Sequence, residues 1–240
     1  MTLRLLIFSN LFTALLASTL LAGDVSGRVE LLDSKDAAVR KKRDFSGVVV
    51  SLLPATGTPT LEIQPAQVTM LQKDKTFTPH VLAVTTNSSV SFPNADPIFH
   101  NAFSNYNGQI FDVGLYPPGT TRVVRFRREG VVRIFCNIHS AMSAVIVVVP
   151  TPYFAVTGKD GSFSIPDVLP GDYDLKVFHE RASESTLEKL TQRIHVQGPS
   201  QSLDPIRISE AGFIAIPHSN KFGNQYLPEP SDSVAYPLRH

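Results

Sequence analysis

The sequence predicts an all-β protein, and three observations carry that prediction. Short valine-rich runs recur along the chain, bounded by Pro and Gly. Proline is frequent, with 18 residues, and Phe is the main aromatic at 15 with no Trp, a composition that suits strands and turns better than long helices. One stretch, "SESTLEKLTQ" (183–192), reads as a helix, and it is short.

The strands follow in order. "VSGRVEL" (25–31) and "SGVVVSLLP" (46–54) are separated by a polar stretch. "QVTMLQ" (67–72), "HVLAVTT" (80–86) and "SVSFPN" (89–94) come next. "TRVVRFRR" (121–128) and "VVRIFC" (131–136) are joined by a tight turn at Glu129-Gly130. "SAVIVVVP" (143–150) is apolar at nearly every position, the pattern of a strand buried on both faces. In "TGKDGSFSI" (157–165), Asp160-Gly161 signals a hairpin, and "GDYDLKVF" (171–178) alternates apolar and polar. From about Gly212 the chain has no period and reads as loop or extended packing. This spacing of short strands predicts β-sandwiches.

The first 22 residues carry Arg4 and then the apolar run "LLIFSNLFTALLASTLLA", the order of a secretory signal cleaved after Ala22 or Gly23. Ser9, Asn10 and Thr13 interrupt the run, which favours a signal over a membrane anchor. Asp24 follows "LLAG" where a lipid-anchored chain needs Cys. No later segment is long and apolar enough to span a bilayer, so a periplasmic or secreted chain without stable membrane insertion is expected. Without Arg4 the mature chain holds 21 basic and 21 acidic residues, which argues against a nucleic acid partner. "RKKR" (40–43) is read as a solvated loop.

Export changes the meaning of Cys136, the only cysteine. A lone thiol in an oxidising compartment pairs or oxidises unless something protects it, and metal ligation is one protection. Val132, Ile134 and Cys136 share a face of their strand, so Cys136 points into the core at the strand's end. The link "NIHSAM" is short and must curl, which can aim Cys136, His139 and Met142 at one point. The best further donor is His100, in the Pro-rich loop of "SFPNADPIFHNAFS". Two imidazoles and a thiolate make a trigonal site, with a thioether as weak axial ligand. Thioether is a poor zinc ligand, and copper outranks zinc in divalent affinity, so the set predicts copper. A Cys or Met taken singly is ordinary core filler; the joint arrangement carries the prediction. His80 is an extra ligand, an entry residue or a strand-edge surface histidine, and Met70 belongs to the core. His179, His195, His218 and His240 show no metal spacing.

"FTPHVLAVTTNSSVSFPNADPIFHN" and "GVVRIFCNIHSAM" resemble the cupredoxins, the blue copper proteins, over roughly residues 63–150. The Cys-x2-His-x2-Met spacing is most similar to amicyanin, and to cupredoxin-type chains labelled methylamine utilisation proteins. The resemblance implies a Greek-key β-sandwich with one type 1 copper held by His100, Cys136, His139 and Met142. It implies that Asn101 steadies the thiolate loop from the second shell. The Gly usual before V-x-F in that family is replaced by Asn87-Ser88-Ser89, which leaves the turn type open.

"YFAVTGKDGSFSIPDVLPGDYDLKVFHE" (153–180) resembles the carboxypeptidase regulatory-like, transthyretin-like sandwich, generally a non-catalytic scaffold. Its opening strands are lacking there, and "SGRVELL" and "SGVVVSLLP" resemble them. The expected organisation is a signal at 1–22, a small sandwich split between 24–62 and 151–209, an inserted cupredoxin at 63–150, and a tail at 210–240. Val29 and Val49 are expected to pack with Phe163, Ile165 and Leu175. No nucleophile–base set, phosphate loop or carboxylate pair asks for an enzyme. The expected role is electron carrier or redox relay with a protein redox partner. The alternatives are copper handling without redox turnover and a structural surface protein on the same frame.

Overall fold

The computed structural model of the chain describes residues 21–105, 108–215 and 217–226. Most of the expected signal therefore lies outside the described residues. Among those described, no helix is long and apolar enough to cross a membrane. The described residues form an all-β fold, two β-sandwiches with two short helices.

One sandwich is built from residues 67–149. Its larger sheet pairs Val81–Thr85, Ser143–Val149, Gly130–Phe135, Phe103–Ser104 and Phe111–Asp112 in that order. Thr121–Arg125, Ser89–Pro93 and Gln67–Thr69 form the facing sheet. Between them lie Met70, Phe77, Val90, Phe92, Phe126, Val132, Ile134, Ile146 and Cys136. Ser143–Val149 is central and buried on both faces, as its unbroken apolar run demands. Ala144, Ile146 and Val148 face this core. Val145, Val147 and Val149 face outward into a second apolar layer.

The other sandwich draws its strands from both ends of the chain. Gly23–Leu32 pairs antiparallel with Ser162–Val168 and parallel with Ser200–Ser202 and Ile206–Ser209. Val49–Pro54 lies between Phe154–Val156 and Gly171–Phe178, and Gln192–Val196 completes that sheet. The enclosed core holds Val29, Val48, Val50, Leu52, Phe163, Ile165, Tyr173 and Leu175.

Val49 departs from expectation. Val29 packs with Phe163, Ile165 and Leu175, but Val49 points the other way, against Val81, Val145 and Val147. Side chains alternate along a strand, so Val48 and Val50 take the inner face and Val49 is left for the layer between the sandwiches. Turn chemistry also misled. Asp160-Gly161 is a turn, with Gly161 at φ +81°, but its flanking strands do not form a hairpin. Phe154–Val156 pairs with Val49–Pro54, and Ser162–Val168 with Gly23–Leu32, so the turn crosses from one sheet to the other. Glu129-Gly130 crosses between sheets in the same way. The stretch 67–72 is two strands, Gln67–Thr69 and Leu71–Lys73, interrupted at the fully buried Met70.

The basic cluster is not a loop. Ala37–Lys42 is a helix in which Ala38 N, one of the free amides of the first turn, is capped by Asp36 Oδ1 at 2.7 Å. Arg40, Lys41 and Lys42 occupy its last turn, where cations suit the helix dipole, and Val39 docks it on the core. The helix expected at 183–192 is shorter, Glu184–Lys189, capped by Ser183. At the open turn Asn87 adopts φ +68°, a region Asn tolerates better than most residues. Ser88 is buried there and its Oγ accepts from Ala66 N at 2.9 Å.

A polar clasp ties the sandwiches beside that apolar layer. His80 Nδ1 faces Ser143 O at 3.1 Å and Nε2 faces Glu180 Oε2 at 2.9 Å. Both partners are acceptors, so both ring nitrogens carry protons and the ring is cationic. The hydrogen bond that His80 donates to Glu180 raises the His80 pKa. Burial pushes Glu180 upward, but the bond to His80, with the charges of His80 and Arg181, holds it below its ordinary value. The pair contributes fully between the ordinary values of 4.5 and 6.5. Its contribution fades as pH rises through the raised His80 value, and as pH falls through the lowered Glu180 value. The stability difference between wild type and His80→Gln, measured by urea unfolding, should be about 0.5–1 kcal/mol near pH 6 and vanish at high pH. A difference independent of pH would show that the clasp is not ionic.

Candidate metal centre

The strand Gly130–Phe135 delivers Cys136 to one end of the first sandwich. Val132 and Ile134 are buried in its core, and the alternation carries Cys136 inward with them. The loop beyond curls back as its length requires. Cys136 N donates to Met142 O, and Met142 N donates to His139 O, both at 3.1 Å. Cys136 and Met142 are fully buried and belong to the same core.

His100 arrives from another loop, fixed by its backbone. His100 N donates to Tyr116 O at 3.1 Å, and Tyr116 N donates back at 2.9 Å. His100 Nδ1 lies 3.9 Å from Cys136 Sγ, and His139 Nδ1 lies 3.5 Å from it. The donor atoms of the three residues lie within 4.8 Å of one another, all buried.

The spacing suits a shared transition-metal ion. Nitrogen at about 2.1 Å and sulfur at about 2.3 Å from one ion, at trigonal to tetrahedral angles, sit roughly 3.5–3.8 Å apart. The Sγ–Nδ1 distances, 3.5 and 3.9 Å, lie within about 0.1 Å of that range. A disulfide within the chain is excluded because there is no second cysteine.

Asp96 was not anticipated. Its Oδ2 lies 2.7 Å from His100 Nε2, with the His100 ring fully buried. A carboxylate only accepts, so Nε2 carries the proton and Nδ1 presents its lone pair toward Cys136. Asp96 is itself held by Asp74 N at 2.6 Å and Lys75 N at 2.9 Å. Burial pushes its pKa up, but these amides and His100 outweigh that and keep it low. The signal was visible in "NADPIFH", a carboxylate four positions before a ligand-type histidine. Removing such a support typically costs 10- to 100-fold in metal affinity. Asp96→Asn is therefore expected to weaken metal binding by about that factor, read by competition with a chelator. Unchanged affinity would make Asp96 a structural group only.

Asn101 is buried, but its Nδ2 bonds to Asp112 Oδ1 at 2.7 Å and Gly114 O at 2.9 Å. Its link to the thiolate loop is indirect, through Asp112 and Lys221 Nζ (2.7 Å) to Asn137, whose Oδ1 accepts from Lys221 N. His80 is outside the metal-type group and serves the clasp. His179 bonds to Glu210 Oε1 at 2.7 Å and His195 to Asp172 Oδ1 at 2.8 Å, while His240 lies outside the described residues. His218 has a role near Cys136 that the sequence did not signal.

No family model matches the chain. No curated protein matches it either. Among solved structures, the chain is similar to a purple cupredoxin from Nitrosopumilus maritimus, at 22% identity and TM-score 0.31, over 35% of this chain and 99% of that one. It is similar to a copper-containing nitrite reductase (NirK) from Thermus scotoductus SA-01, at 23% identity and TM-score 0.33, over 50% of this chain and 28% of that one. An oxidised amicyanin mutant is similar at 13% identity and TM-score 0.33, over 43% of this chain and 99% of that one.

Proposed function

We propose that this chain is an exported type 1 copper protein, an electron carrier or redox relay and not an enzyme. The observation that carries the reading is the pair of imidazole Nδ1 atoms converging on one buried thiol, at 3.5 and 3.9 Å. His100, Cys136 and His139 would hold the ion, with Met142 from the same loop as a weak fourth donor. Bound copper would supply a one-electron couple and an intense thiolate-to-metal absorption. The chain's own work is to keep the donors still. Asp96 fixes the His100 tautomer. The Tyr116–His100 backbone bonds and the Cys136–Met142 bond fix the two loops that meet at the site. A donor set held by two sheets changes little between oxidation states, so little reorganises when an electron moves.

We read residues 63–150 as an inserted copper-binding domain and 24–62 with 151–209 as a regulatory-like scaffold sandwich. The strand pairings of Gly23–Leu32 and Val49–Pro54 with residues beyond 150 support that division.

The test is the absorption spectrum of the mature chain with Cu(II), followed by voltammetry. An intense blue charge-transfer band and a reversible one-electron wave are expected. Full copper occupancy without colour would exclude the type 1 centre. A band with sluggish electron exchange, and ready transfer of copper to an acceptor, would favour copper handling.

A further inference from the structure

Residues 217–226 carry no strand or helix, yet they are tied to the Cys136 loop at several points. Tyr226 Oη donates to Cys136 O at 2.8 Å. Lys221 N donates to Asn137 Oδ1 at 2.9 Å. The His218 ring stacks on Phe135, with centroids 4.0 Å apart. Lys221 Nζ reaches Asp112 Oδ2 at 2.7 Å, and the other oxygen of Asp112 accepts from Asn101, next to His100. The segment thus touches the residue before Cys136, the residue after it, and the carbonyl of Cys136 itself.

The segment is also closed on itself. Asn220 Oδ1 accepts from Phe222 N and Asn224 N, both at 3.0 Å, and Gly223 N donates to Asn220 O at 2.9 Å. His218 Nδ1 lies 3.1 Å from Tyr226 Oη. Because Oη gives its proton to the carbonyl, the proton between these two sits on Nδ1. One ring thereby orients the other, with centroids 5.1 Å apart and planes at 85°.

The need for such a brace follows from the sheet. The ladder between the strands Gly130–Phe135 and Ser143–Val149 ends at the Phe135–Ser143 pair. One residue later the Cys136 carbonyl is past the ladder and needs another donor. Tyr226 supplies it.

We propose that residues 217–226 are a strap closing the Cys136 loop, with Tyr226 and Lys221 as positioning residues. They hold the Cys136 sulfur in place against His100 and His139 before any metal arrives. The proposal rests on the copper reading for what the loop holds, and on the hydrogen bonds alone for the strap. A donor set ordered in advance loses less freedom on binding, and a covered loop limits access to the thiolate.

The test uses the full mature chain, metal-free, and the rate at which an aromatic disulfide reagent modifies Cys136. Cys136 is fully buried, so modification needs local opening and its rate reports the opening equilibrium. Tyr226→Phe keeps the ring and removes the hydroxyl, with its bond to the Cys136 carbonyl and the bond it accepts from His218. It is expected to speed modification about three- to tenfold, and Tyr226→Phe with Lys221→Ala further. Amide exchange in the strands Ser143–Val149 and Gly171–Phe178 should not change. Cu(II)-loaded Tyr226→Phe should show a shifted thiolate band. Rates within twofold of wild type in both variants would overturn the strap. So would faster modification accompanied by equal loss of protection in the sheets, which would mean general loosening. A faster variant thiol in a chain that shows no copper band would sink the copper reading and leave the strap. A normal band with unchanged thiol rates would do the reverse.

Discussion

Loading the mature chain with Cu(II) should raise its melting temperature by about 10 °C, and Cys136→Ser should abolish the rise. A ligand at a thousand times its dissociation constant stabilises the folded state by about 4 kcal/mol. A chain of this size gains about 2–4 °C per kcal/mol. The shift requires the donors to converge only when folded, and here they come from two loops joined by the fold. A serine hydroxyl cannot replace the thiolate, so the variant should lose the blue band and most of the affinity. Its metal-free melting temperature should stay close to that of metal-free wild type, because Ser is nearly the size of Cys. Calorimetry with and without copper measures both. Equal shifts in wild type and Cys136→Ser would mean the ion binds elsewhere.

The second large effect is expected at Gly161→Ala, far from the metal centre. A Cβ there would lie 2.1 Å from Val29 O, on a backbone held at φ +81°. Val29 N also donates to Gly161 O at 2.8 Å, so the turn cannot move away without releasing that strand. The left-handed conformation costs a non-glycine residue about 1–2 kcal/mol, and losing the hydrogen bond adds about 1 kcal/mol. A loss of about 2–4 kcal/mol is therefore expected in urea unfolding. The loss should appear first as amide exchange in Gly23–Leu32 and Ser162–Val168, since these strands are paired. If Ser143–Val149 loses protection first instead, the turn does not secure the Gly23–Leu32 and Ser162–Val168 pair in the way its contacts imply.

Much of this was legible in the sequence because it depends on local alternation. Once 131–136 is a strand, the inward direction of Cys136 follows from its place two beyond Ile134 and four beyond Val132. The shortness of "NIHSAM" forces the loop to turn back, and the unbroken run 143–149 requires two covered faces. The sequence shows half-patterns at the two ends of the chain, and strands from both ends pair, Gly23–Leu32 with Ser162–Val168. The carboxylate of Asp96 is present in the sequence, but only the fold shows that it meets His100.

Other features depend on which sheet each strand joins, and short-range pattern carries no record of that. Gly161 marks a turn in either case; only the competition for partners decides that its strands separate instead of forming a hairpin. Val48, Val49 and Val50 are chemically alike, and the pairing register alone sends Val49 to the outer layer. The basic stretch becomes a helix because Asp36 caps it and Val39 finds the core, a tertiary contact. The strap is the extreme case. Residues 217–226 have no period, and Tyr226 is 90 positions from Cys136. That the sequence names copper-type donors is a matter of residue chemistry. That Tyr226 braces the thiolate is decided by where the tail comes to rest, and hydrogen bonds between loops are set by three-dimensional proximity that no local pattern encodes.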